Sequence, residues 1–158
     1  NKVIAITETG IDRATFMLAP NVGEVLKPLA NIASGGELSR VVLALKAILA
    51  ETESVETIIF DEVDAGIGGG VAEVVGEKLF SLSHYHQIVC ITHLPQIAKF
   101  GNQHFKISKH ISSGRTRTMI QPLDKELRIK EIARMLGGKK MTQTTLDHAS
   151  EMLRVKKS

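Results

Sequence analysis

Two apolar runs, each ending in residues able to do chemistry, constrain this chain more than anything else in it. Ile58-Ile59-Phe60 is followed at once by Asp61-Glu62, and Ile88-Val89-Cys90-Ile91 by Thr92-His93. Neither run alternates apolar with polar residues, which is the pattern of strands covered on both faces in a parallel sheet. Between them Ile67, Val71, Val74, Val75, Leu79 and Leu82 recur at helical spacing. Strand, helix, strand with short joins predicts a βαβ unit with a right-handed crossover. If the two strands pair in register, His93 reaches the same sheet edge as Asp61 and Glu62. Ligands of open α/β sheets bind beyond the carboxyl ends of the strands. Neighbouring strand residues point to opposite sides, so the two acids have different tasks. Asp61 suits a hard cation such as magnesium, which takes oxygen ligands. Glu62 suits a base or a water-positioning group. His93 suits a hydrogen bond to a phosphate oxygen or to an attacking water. The plainer alternative is a strand ending in a solvated acidic turn, with His93 an ordinary satisfied histidine.

Upstream, Ser34-Gly35-Gly36-Glu37 opens an amphipathic run carrying Leu38, Val41, Val42, Leu45, Ile48 and Leu49. Ser-x-x-Glu before such a run is a capping box, and the helix is predicted to reach about Glu53. Two glycines at a helix start let backbone N–H groups approach an anion where the helix dipole favours negative charge. An ordinary N-cap is the competing reading. Short strands are expected at Val3–Ile6 and Arg13–Ala19, with a loop or edge segment from Val25 past Pro28. Downstream come a short helix from Pro95 to Phe100, a hairpin of 105–111 with 115–121, and a helix through Leu127 and Leu136 closed by Gly137-Gly138. A last helix covers Thr142 to Val155.

Several chemistries are set aside. Gly66-Ile67-Gly68-Gly69-Gly70 fails the dinucleotide fingerprint, because Val71 stands where glycine is needed. Gly137-Gly138-Lys139-Lys140 fails as a phosphate-binding P-loop at Ala133 and Lys140, and no other P-loop is present in the sequence. His84, His86 and Cys90 lack a second pair at zinc-site spacing. Lys106, Lys109, Arg115 and Arg117 gather around the hairpin, as a solvated face or a weak phosphate-backbone contact. Net charge is +3 over 158 residues, which permits a nucleic-acid partner without requiring one. The 43% hydrophobic content suffices for a core, and a single domain over 1–158 is expected. One cysteine fits a reducing, cytoplasmic setting, and no apolar run is long enough to span a bilayer. The start at Asn1 rather than Met reads as a processed chain or a piece of a longer one.

The order of the motifs carries more information than any one of them. A Ser-Gly-Gly-Glu helix start precedes a strand ending Asp-Glu, then an Asp-bearing loop, then a strand ending Thr-His. This resembles the C-terminal half of an ABC-type ATPase head. Ala33-Ser34-Gly35-Gly36-Glu37 resembles the signature motif, and Ile58 to Glu62 the Walker B strand with its following glutamate. Asp64 resembles the D-loop aspartate and His93 the switch histidine. Glutamate at position 37 is closer to the SMC-like DNA-maintenance ATPases than to transporters. The blocks 29–40, 60–69 and 91–98 resemble the RecN family of bacterial DNA repair proteins.

The resemblance implies an α/β fold, a mostly parallel sheet flanked by helices, forming the C-terminal half of a P-loop NTPase head without its Walker A lobe. It implies that ATP and Mg2+ are used, with Asp61 helping to hold the metal, Glu62 polarising water and His93 contacting the γ-phosphate or that water. Ser34, Gly35, Gly36 and Glu37 would close over ATP held by a partner head, and Asp64 would couple the two sites. The implied partners are DNA, a second head in an ATP-sandwiched homodimer and the N-terminal Walker A lobe, with no membrane. The implied setting is cytoplasmic and nucleoid-associated. The implied activity is ATP hydrolysis in DNA double-strand-break repair, with this chain inactive alone. Two other classes remain in view: a transporter-type nucleotide-binding lobe, and a non-enzymatic DNA-binding or dimerisation module.

Overall fold

The computed structural model describes residues 8, 10–12, 14–19, 22–31, 34–50, 55–112, 115–138 and 141–154. The strand expected at Val3–Ile6 lies outside these. The elements are β1 (Met17–Leu18), β2 (Lys27–Pro28), α1 (Gly35–Leu49), β3 (Thr57–Phe60), α2 (Gly69–Leu82) and β4 (Gln87–Cys90), followed by α3 (Pro95–Ala98), β5 (Phe105–Ser112), β6 (Arg115–Pro122), α4 (Lys125–Gly137) and α5 (Gln143–Arg154). A single 3-10 turn, Leu29–Asn31, precedes α1.

The βαβ unit is present as expected. β3 and β4 pair in parallel, with Thr57 opposite Gln87 and Phe60 opposite Cys90. That register puts the residues after each strand, Asp61 and Ile91 onward, at one edge. The other described strands form two antiparallel ribbons, β1 with β2 and β5 with β6, rather than extending the parallel pair. The expected 13–19 strand shrinks to the two residues of β1.

The core gathers beneath one face of the parallel pair. Ile58 and Phe60 are buried there with Leu43 and Ala50 of the α1 segment, Val63 of the turn after β3, Ala72, Val75, Leu79 and Leu82 of α2, and Ile97 of α3. Burying each large apolar side chain is worth roughly 1.5–3 kcal/mol, so this cluster fixes the strand ends. Gly76 allows the closest approach: a Cβ there would stand 2.5 Å from the Phe100 ring. A second cluster, Ile132 and Ala133 of α4 with Ala149 of α5, packs against Ala98 of α3. Arg128 Nη2 ties α4 to α3 by donating to the carbonyls of Ala98 and Lys99 at 3.2 and 3.1 Å.

Two expectations about burial are corrected. β3 and β4 are covered on one face only: Ile59 is 66% exposed, and Val89 and Ile91 on the same face are also exposed. The unbroken apolar runs therefore signal two covered faces of which these residues supply one. Likewise, the α1 stripe of Leu38, Val42, Leu45, Ile48 and Leu49 stays exposed, while Gly36 and Leu43 face the core. α1 is apolar around most of its girth, so periodicity did not select the packed face. No helix among the described residues is long and apolar enough to cross a membrane.

Candidate functional site

The site forms where β3 and β4 end. The main chain leaves β3 at Phe60 and turns sharply, with Glu62 in the left-handed region at φ +56°. A non-glycine residue pays for that conformation, and such outliers gather at functional sites. The Asp61 carboxylate steadies the turn by accepting from the Glu62 N–H at 2.9 Å. Asp61, Glu62, Asp64, Ile91, Thr92 and His93 line one open hollow of about 240 Å³. The sequence reading placed Asp61, Glu62 and His93 on one edge, and the structure brings all three together there. Both Asp61 and Glu62 are exposed to solvent.

Asp64 has a different setting. It is only 4% exposed, and its Oδ2 accepts from Thr92 Oγ1 at 2.6 Å and from the His93 N–H at 2.8 Å. The His93 Nδ1 lies 2.9 Å from the same oxygen. Burial pushes the Asp64 carboxyl up, but the bonds from Thr92 and His93 and the nearby imidazole bring it below the usual carboxylate value. Oδ2 of Asp64 is thus engaged within the chain, on the strand end carrying His93. Thr92 was passed over in the sequence reading because a threonine before histidine has no signature of its own. Its hydroxyl donates to Asp64 and accepts from the Leu94 N–H at 3.0 Å.

α1 abuts this turn from the other side. Ser34 is its N-cap, accepting from the Glu37 N–H at 3.4 Å. Gly35 is exposed and Gly36 buried. A Cβ on Gly36 would meet Ala65 Cβ at 2.7 Å and the Glu62 carbonyl at 2.9 Å; one on Gly35 would meet the Glu62 Oε2 at 2.7 Å. Both glycines therefore have a packing reason within this chain, beside any role toward an anion. Two more residues that sequence reasoning missed complete the joint. Ser39 Oγ donates to the Asp61 carbonyl at 2.9 Å, and Arg40 Nη1 donates to the carbonyls of Val63 at 3.2 Å and Ala65 at 2.9 Å. Their only signal was position, one and two residues beyond Ser-Gly-Gly-Glu-Leu.

The donors suit magnesium better than a metal that wants a full protein cage. No group of three or more His, Cys, Asp or Glu side chains able to hold a metal occurs among the described residues. Magnesium is bound by one or two carboxylates plus waters and substrate phosphates, and an exposed Asp61 beside Glu62 offers such a set. The His84–His86–Cys90 stretch makes no site. The His86 Nδ1 donates to the Val55 carbonyl at 2.5 Å, and the His84 Nδ1 lies 3.0 Å from the Ser81 carbonyl. Burial, then Asp64 and Asp61, push the Cys90 thiol up to about 12. On the hairpin, Lys106 pairs with the buried Glu131 at 2.7 Å, whereas Lys109, Arg115 and Arg117 are exposed.

A scan against protein-family models finds no match. Curated relatives are found instead. The chain is 46% identical over 151 residues to DNA repair protein RecN of Bacillus subtilis (strain 168), which covers 96% of this chain and 26% of that protein. It is 48% identical over 145 residues to DNA repair protein RecN of Treponema pallidum (strain Nichols), covering 92% of this chain and 25% of that protein. It is 41% identical over 152 residues to DNA repair protein RecN of Streptomyces coelicolor, covering 96% of this chain and 27% of that protein. The chain thus spans about a quarter of the length of these relatives, at their C-terminal part. A solved structure described as "Structural biochemistry of ATP-driven dimerization and DNA stimulated activation of SMC ATPases" superposes with a TM-score of 0.49 at 19% identity, over 75% of this chain and 70% of that one. That likeness is too loose to carry an argument.

Proposed function

Because the chain is a relative of the C-terminal part of the RecN DNA repair proteins, we propose that it is the lobe of an SMC-like ATPase head that carries the water-activating and metal-holding acids. It acts in DNA double-strand-break repair. The observation that carries the reading is the single hollow shared by Asp61, Glu62 and His93 at the carboxyl ends of β3 and β4. ATP is the substrate. Asp61 holds magnesium, directly or through water, and the metal's contribution when bound is to neutralise charge on the phosphates. Glu62 polarises the attacking water; it lines the hollow at a sharp backbone turn. His93 faces the same water and phosphate.

Catalysis of this kind is mostly positioning and charge stabilisation, and the joint between α1 and the 61–65 turn serves it. Ser34, Gly35, Gly36 and Glu37 form a helix start that faces a partner head's triphosphate, and Ser39 and Arg40 link that start to Asp61, Val63 and Ala65. Asp64 sits in the linked turn, so closure of a partner on α1 reaches His93 through it. The Walker A lobe supplies the phosphate cradle, and the domain formed with it is the working unit. The bare face of Ile59, Val89 and Ile91, together with the exposed α1 stripe, supports a covering lobe from the same protein.

The test is reconstitution. The chain alone shows no ATP hydrolysis, and co-expression with the N-terminal lobe of the same protein restores it. Glu62→Gln abolishes the gain. Full turnover by the Glu62→Gln head refutes the assignment.

A further inference from the structure

We propose that the β5–β6 ribbon lays one of its faces, the one carrying His110, Arg115 and Arg117, along the phosphate backbone of duplex DNA. The inference rests on the proposed function only for the choice of polyanion. Sequence reasoning gathered Lys106, Lys109, Arg115 and Arg117 as one basic group, and the pairing of the strands sorts them.

Neighbours along a strand point to opposite faces, and directly opposed residues of two strands share a face. The register sets Lys106 opposite Gln121, Ser108 opposite Met119 and His110 opposite Arg117, and Arg115 follows Arg117 at the same spacing of two. Ser108 Oγ lies 3.0 Å from His110 Nε2 on that face. Lys109 belongs to the other face, with Phe105, Ile107, Ile111 and Ile120. Those four apolar side chains are each more than half exposed. The ribbon is thus two-sided, apolar on one face and cationic on the other, and only the second suits a polyanion.

The charge around it has one sign. No Asp or Glu occurs from residue 78 to residue 123, where 17 acids among 158 residues would place about five. At the foot of the cationic face, Lys106 Nζ and Arg134 Nη2 share the Glu131 carboxylate at 2.7 and 2.6 Å. Two cations meet one acid there, so a positive charge is left over. Lys106, Gln121, Arg134 and the exposed Lys130 line a hollow of about 200 Å³ beside it. The carboxylate lining that hollow, Glu131, is only 6% exposed. The cationic face therefore continues from the ribbon onto α4, and such a surface draws a polyanion toward it.

Shape favours a duplex. Strands of eight residues run roughly 26 Å, the rise of about eight base pairs. A two-stranded ribbon is an element that the major groove admits. Each guanidinium matches two phosphate oxygens at once. Contacts of this kind set position and carry no sequence information.

The test is the anisotropy of a short fluorescent duplex titrated with the chain over a range of salt. Arg115→Ala and Arg117→Ala each weaken binding and each lower the slope of log K against log salt by about 1. Arg117→Lys keeps the slope. Lys109→Ala, on the apolar face, also keeps it. No binding by the parent chain at low salt, or a slope lost equally with Lys109→Ala, overturns the proposal. Displacement of the duplex by polyglutamate at equal charge overturns it too, in favour of an acidic protein. In the reconstituted head, Arg117→Ala leaves ATP hydrolysis without DNA unchanged. A head that binds the duplex through Arg115 and Arg117 but hydrolyses no ATP defeats the proposed function and leaves this inference standing. An active head whose duplex binding ignores both arginines does the reverse.

Discussion

Substituting alanine at Gly36 and at Gly35 separates two explanations of the glycine pair. If the glycines exist only to admit an anion, alanine at either position leaves the fold untouched and helix propensity improves both, by up to about 1 kcal/mol. The structure predicts otherwise. A Gly36 Cβ would stand 2.7 Å from Ala65 Cβ, 2.9 Å from the Glu62 carbonyl and 3.1 Å from the Ala65 carbonyl. Two of those neighbours are backbone, and the turn they belong to is held by Arg40 and Ser39, so nothing yields without moving the turn. Overpacking of this kind costs about 1–3 kcal/mol. With about 1 kcal/mol of propensity gain set against the roughly 2 kcal/mol midpoint of that cost, Gly36→Ala loses about 1 kcal/mol, a Tm fall of about 2–4 °C for a chain of this size. At Gly35 the first obstacle is Glu62 Oε2 at 2.7 Å, the far end of a flexible side chain. The carboxylate swings aside, and Gly35→Ala is neutral within about 0.5 kcal/mol, the usual range for surface changes. Thermal unfolding followed by circular dichroism measures both. A Gly36→Ala chain as stable as the parent, or equal losses at the two positions, refutes the packing argument.

Two further outcomes follow from groups outside the hollow. Burial would push the Glu131 carboxyl up, but the bonds from Arg134 and Lys106 hold it below its ordinary value. The sign follows: its stabilisation is present above the unfolded value near 4.5 and is lost as pH falls through the folded one. Glu131→Gln should therefore flatten the acid limb of a urea-midpoint against pH profile below the unfolded value of 4.5, and an unchanged limb counts against the buried ion pairs. Cys90, with its thiol pushed up to about 12, should resist alkylation by iodoacetamide at pH 8 in the folded chain and react on unfolding, since the thiolate is the reactive form; rapid labelling of the folded chain, tracked by mass spectrometry, would contradict the raised thiol.

What the sequence made legible was the order of elements and the ends of strands, because those depend on local patterns. Ile58 to Phe60 and Ile88 to Cys90 pair as expected, and the turn residues after them converge. Sidedness was not legible. The apolar runs of β3 and β4 and the girth of α1 predict cover all round, yet Ile59, Val89, Leu45 and Ile48 are exposed. Periodicity reports how much apolar surface an element has to bury, not which partner buries it. The meeting of Asp61, Glu62 and His93 at one edge was legible from the strand ends. The inward setting of Asp64 was not, because burial and the donors on Thr92 and His93 turn its side chain in.

That inward turn ties Asp64 into a joint within this chain: its Oδ2 is engaged by Thr92 and His93, and the turn that carries it is gripped in its own right. Arg40 grips that turn at Val63 and Ala65, on either side of Asp64, and Ser39 grips it at Asp61. Any shift of α1 is then delivered to Asp61 and Asp64 together, and by way of Asp64 to the strand end carrying His93. Asp61 and His93 would move as one body. Such a linkage needs a stiff joint, which is what the missing Cβ of Gly36 permits.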